Sequence, residues 1–76
     1  MPARAEFTVE PFEEGNPGPH VQAAIDALSP YGPDIGPFGT AIEGSVEIVF
    51  HAAVDCVRAA MDAGASRVSV NMTVTP

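Results

Sequence analysis

The chain has 76 residues, ten acidic against three basic with no Lys at all, and a formal net charge of −7. Phosphate recognition needs clustered Lys and Arg, so nucleic acids and anionic membrane surfaces are excluded as partners. An apolar fraction of 46% with 17% charged residues is that of a folded chain, not a disordered one.

The length gives one domain, residues 1–76. A chain this short buries only about 60% of its unfolded surface, and association with copies of itself is a natural remedy. The single Cys56 excludes an internal disulfide and any Cys-pair zinc or redox motif. No apolar run approaches a membrane span, and Met1-Pro2-Ala3-Arg4 leads into a strand, so a soluble protein of the reducing cytoplasm is expected.

Residues 4–10 alternate, with Arg4, Glu6, Thr8 and Glu10 on one side and Ala5, Phe7 and Val9 on the other, which predicts a strand with one buried face. Residues 11–18, rich in Pro, Gly and Glu, read as a surface loop. Pro19 suits the first turn of a helix carrying Val21, Ala24, Ile25 and Leu28, which Ser29-Pro30 stops. Three Pro and two Gly in residues 30–37 allow only a short, irregular edge strand. Residues 38–44, bracketed by Gly39 and Gly44, form a better one.

Ser45 is placed to cap a second helix. Its apolar stripe is predicted as Val46, Val49, Phe50, Ala53, Val57, Ala60 and Met61, with Phe7 and Phe50 read as core. Gly64 ends the helix as a left-handed residue, and 66–75 alternate again, with Val68, Val70, Met72 and Val74 on one side.

The order is β-α-β-β-α-β, which predicts an α+β, ferredoxin-like fold: a four-stranded antiparallel sheet with two helices on one face. The apolar parity of the first and last strands then faces the helices, and Glu6, Thr8, Ser69, Asn71 and Thr73 collect on the open face. If the third strand turns Phe38, Thr40 and Ile42 to the helices, Glu43 joins that polar face. A Glu inside a strand that otherwise reads as core is costly unless paired, which singles out Glu43.

The strand Glu6-Phe7-Thr8-Val9-Glu10-Pro11, the segment Gly36-Pro37-Phe38-Gly39-Thr40-Ala41-Ile42-Glu43-Gly44 and the helix ending Met61-Asp62-Ala63-Gly64-Ala65-Ser66-Arg67-Val68 resemble the small thiamine-binding proteins of ferredoxin-like fold. The resemblance covers nearly the whole chain. It implies a non-enzymatic protein that binds thiamine or its aminopyrimidine moiety as a homodimer or homotetramer, with no cofactor besides that ligand.

Thiamine offers an aminopyrimidine hydrogen-bonding edge and a cationic thiazolium. Glu43 and Glu6 are the candidate acceptors, each charged hydrogen bond being worth roughly 1.5–3 kcal/mol. Thr40, Thr8 and Asn71 are candidate polar partners, and Phe38 or Phe7 an aromatic wall, with Phe7 read rather as core. The plain alternative for Glu43 is a solvated strand-end residue, or a salt bridge to Arg67 or Arg4 across the sheet. Thr40 and Glu43 have opposite parity, so one ligand meets both only at a bulge or at the strand's end.

Other chemistry finds little support. His51 and Asp55 are spaced as an ordinary helical pair, and His20, His51 and Cys56 lack the pattern of a metal site. No nucleophile–base arrangement is visible, and the Arg and Asn constellation of acylphosphatases is missing. The competing reading is an interaction or regulatory assembly module that uses the polar sheet face without a small ligand.

Overall fold

The computed structural model describes residues 1–12, 15, 18–37 and 39–76. Part of the predicted loop (13, 14, 16 and 17) and Phe38 lie outside the described residues. The elements are β1 (Pro2–Glu10), α1 (Pro19–Leu28), a 3₁₀ turn (Ser29–Tyr31), β2 (Asp34–Ile35), β3 (Thr40–Ser45), α2 (Val46–Asp62) and β4 (Arg67–Val74). The sheet is antiparallel in the order β2-β3-β1-β4. With its two helices this is the ferredoxin-like arrangement that the alternation predicted.

β1 is the sorting strand. Ala3, Ala5, Phe7 and Val9 are buried and the residues between them exposed, as period-two geometry demands of a strand covered on one side. Its register carries that sorting to both neighbours. Phe7 stands opposite Thr40 and Val70, and Ala5 opposite Ile42 and Met72, on the helix side. Arg4 opposite Glu43 and Thr73, and Glu6 opposite Ala41 and Asn71, share the open side. Each helix end has a local cause. Pro19 sits in the first turn of α1, and the His20 ring N–H donates to the Pro11 carbonyl, tying the helix start to the end of β1. The Ser45 hydroxyl accepts from the Ile48 N–H at 3.4 Å, and Gly64, at φ 103°, turns the chain out of α2.

α2 differs from its predicted orientation. Its buried line is Val49, Ala52, Cys56 and Ala60, small side chains that let the helix sit close to the sheet. At 100° per residue, Phe50 then points about a quarter-turn from the buried Val49. Phe50 is 58% exposed, so the expectation that it belongs to the core is corrected. Phe7 is core, at 2% exposure, together with Leu28, Val49 and Cys56. No described helix is long and apolar enough to cross a membrane.

Candidate functional site

Two cavities flank the turn from β2 to β3, one on each side of the sheet. Gly36, Pro37, Gly39 and Thr40 border both. The turn comes very near β1: a Cβ at Gly39 would lie 2.8 Å from the Phe7 carbonyl oxygen, so any side chain there forces a shift.

The larger cavity, about 510 Å³, lies on the helix side between α1 and the sheet. Val21, Ala24, Ile25 and Leu28 of α1 form one wall, and Phe7, Val9, Ile35 and Thr40 belong to the sheet wall. The helical spacing of the α1 residues and the parity of the strand residues aim these side chains at the same space. Its size and apolar lining are those of sites that take small organic molecules. Thr40 brings a hydroxyl to this wall, and among the described residues that hydroxyl makes no hydrogen bond.

The smaller cavity, about 310 Å³, opens on the other face and is bordered by Arg4, Glu6, Thr8, Asp34 and Ala41. Asp34 reaches this face because β2 pairs it with Ala41, the residue that also stands opposite Glu6. Arg4 organises the charges. Its Nη1 donates to Glu43 Oε1 at 2.7 Å, and its Nε lies 3.6 Å from Glu6 Oε1. The hydrogen bond from Arg4 to Glu43 is the main reason the guanidinium pKa rises above its ordinary value. At the far end of β1, Arg67 lies 3.9 Å from Glu10.

The residues singled out in the sequence are thus distributed over both faces. Glu6 and Thr8 border the open-face cavity, and Thr8 and Thr40 border both. Glu43 is on the open face, bonded to Arg4 and away from the lining of either cavity. Asn71 stands exposed across from Glu6 on β4. Phe38 lies outside the described residues. The register between Phe7↔Thr40 and Arg4↔Glu43 runs without a bulge, so Thr40 and Glu43 keep opposite faces.

The apolar residues that helical spacing places on α1, Val21, Ala24, Ile25 and Leu28, border the larger cavity, and Ala24 and Leu28 are buried in the core as well. Their helical spacing does not distinguish a filled core from a hollow one. Asp34 was missed because a two-residue strand carries no alternation to read.

Chemically, the sheet end offers an apolar slot bordered by the Thr40 hydroxyl on one side and an acidic hollow bordered by the Arg4 guanidinium on the other. That defines a small α+β binding domain of ferredoxin-like fold. The sequence pattern of the thiamine-binding protein family matches residues 5–75, and the chain belongs to that family. A comparison with curated proteins gives no match.

Among solved structures, the chain is similar to a domain of unknown function from Bacillus cereus at 23% identity, covering all of this chain and 78% of that one, TM-score 0.76. It is similar to a protein from Streptococcus pneumoniae at 21% identity, covering all of this chain and 89% of that one, TM-score 0.78. A protein from Thermotoga maritima provisionally assigned to thiamine biosynthesis or salvage matches at 21% identity, covering 96% and 81% of the two chains, TM-score 0.68. At these identities the likeness speaks for the fold.

Proposed function

We propose that this protein binds thiamine or its aminopyrimidine moiety without transforming it, acting as a homo-oligomer in the cytoplasm. The observation that carries this reading is the family match over residues 5–75. The cavity of about 510 Å³ supplies a place for the ligand. Its apolar walls suit the faces of an aromatic ring, and the Thr40 hydroxyl is available to the ring's hydrogen-bonding edge. The net charge of −7 favours a cationic thiazolium over a phosphorylated form. Glu6, Thr8 and Asp34 offer a second, acidic place for the cation across the turn.

The absence of a transformation in this reading is supported, among the described residues, by the state of the one thiol. The Cys56 thiol is buried in the core, and burial pushes its pKa up to about 11, which leaves it a poor nucleophile.

Titration calorimetry with thiamine, the aminopyrimidine fragment and thiamine phosphates tests the reading. Binding is expected for the first two and weaker or absent for the esters. No heat with any of them at high protein concentration refutes it. Thr40→Val keeps the shape of the wall and removes the hydroxyl, and is expected to weaken binding by about 1 kcal/mol. Glu6→Gln reports on the open-face cavity. If Glu6→Gln weakens binding and Thr40→Val does not, the ligand sits on the open face instead.

A further inference from the structure

The exposure of the residues that border the larger cavity gives it a floor and a rim. Leu28, Phe7 and Ala24 are at most 4% exposed and form the floor. Phe12 and Ile35 border the same space at 45% and 55% exposure, so they stand at its opening. Phe12 lies just past the end of β1, where the sequence pattern marks only a loop. An aromatic side chain left half in water beside an apolar hollow has a face to offer a guest.

The chain is anchored one residue before Phe12. The Pro11 carbonyl accepts from the His20 ring N–H, which projects from the first turn of α1. The His20 ring in turn packs against Gly18, where a Cβ would lie 2.5 Å from His20 Cε1. α1 also gives the cavity Val21 and Ile25. One helix therefore carries a wall of the cavity and, through His20, the tether of its rim.

Charge narrows the guest. Among the described residues that border the cavity there is no Arg, Lys or His, and the one with a formal charge is Glu10, two positions before Phe12. Arg67 approaches the Glu10 carboxylate only to 3.9 Å, with both side chains more than half exposed. In a chain of net charge −7, a cation entering by this rim meets no repelling group, whereas an anion meets Glu10. Full burial of a charge is costly, so the charged part of a guest stays at the rim and its uncharged part goes to the floor. A cation at the rim lies within reach of an aromatic face, an arrangement that attracts it electrostatically.

We infer that the larger cavity takes flat heteroaromatic cations in one orientation, with the uncharged edge toward Leu28 and Phe7 and the positive charge at the rim against the face of Phe12. Phe12 is then the residue that selects a charged ligand over its neutral counterpart, and His20 is a positioning residue that acts through Pro11. The inference rests on the proposed ligand reading for its choice of cavity, and extends it to a class of molecule and an orientation.

The test is calorimetric titration of the full chain with N-methylquinolinium and with lepidine, a methylquinoline of the same size that is uncharged at pH 8. The wild type is expected to bind the cation about threefold to tenfold more tightly than the neutral ring. Phe12→Leu keeps apolar bulk and removes the aromatic face. It is expected to abolish the preference while leaving lepidine binding nearly unchanged, and Phe12→Trp is expected to raise the preference. His20→Leu is expected to lower the preference with no change in circular dichroism, and His20→Gln, which keeps a donor, to restore part of it. No binding of the cation, a preference that Phe12→Leu leaves intact, or an equal loss of both ligands in that variant overturns the inference. So does a preference that Glu6→Gln abolishes and Phe12→Leu keeps, since the charge would then sit in the open-face cavity. Thiamine titrated into the same samples keeps the two proposals apart. Silence with thiamine, where the cation binds and needs Phe12, removes the thiamine reading and leaves the inference standing; equal thiamine affinity in wild type and Phe12→Leu does the reverse.

Discussion

Gly39→Ala tests whether the turn between the two cavities is as tightly seated as its geometry indicates. The added Cβ would lie 2.8 Å from the Phe7 carbonyl oxygen and 3.4 Å from Thr8 Cγ2. An ordinary carbon–oxygen contact is about 3.3–3.6 Å, so roughly half an ångström must be found. β1 cannot yield it, because it is hydrogen-bonded to β3 on one side and β4 on the other. The turn must move instead. Overpacking of this kind costs about 1–3 kcal/mol, and the reduced freedom of the unfolded chain returns about 0.4–1 kcal/mol. The expected net loss is about 1–2 kcal/mol, or a fall in Tm of roughly 5–15 °C for a domain of this size.

The assay is urea and thermal unfolding followed by far-ultraviolet circular dichroism at fixed protein concentration, with a lower midpoint and an unchanged urea slope. Gly44→Ala is the control. Its Cβ would meet Ile48 Cγ2 at 3.7 Å, an ordinary contact, so no loss is expected. If Gly39→Ala melts with Gly44→Ala, the close approach is not a constraint and the reasoning is wrong.

Ala24→Leu adds three carbons to the wall of the larger cavity, and is expected to abolish most thiamine binding while the fold persists; calorimetry and dichroism on one sample check both. Cys56 is expected to resist thiol reagents at pH 8 in the native protein and to react at once when unfolded, as a reagent titration will show. Its pKa is raised from 9.0 to about 11, so above pH 9 the unfolded chain loses the proton first. Stability should then fall between pH 9 and 11, with a slope of at most about 1.4 kcal/mol per pH unit in urea titrations. Ser45→Ala removes the cap on the Ile48 N–H, and is expected to lower stability by about 0.5–1 kcal/mol in the same titrations. Glu43→Gln breaks an exposed ion pair with Arg4, and should lower Tm only slightly, by a difference that shrinks as salt is added.

Much of this protein is legible in local pattern. The alternation in residues 4–10 and 66–75 identifies β1 and β4 and tells which side chains face the helices. Pro19, Ser45 and Gly64 mark helix ends by backbone chemistry that needs no distant partner. The opposite parity of Thr40 and Glu43 is also a property of the strand alone, and the regular β1–β3 register keeps it.

What the sequence by itself determined is the set of elements, their order and the two faces of each strand, because periods of 2.0 and 3.6 are written along the chain. Only the tertiary structure decided which of those faces meet. It chose Arg4 over Arg67 as the partner of Glu43, thirty-nine positions away. It turned α2 onto Val49, Ala52, Cys56 and Ala60 and left Phe50 outside. It also left a cavity of about 510 Å³ bordered by α1 and the sheet. Those outcomes depend on how closely whole elements approach one another, a distance set by the summed bulk of side chains from several segments.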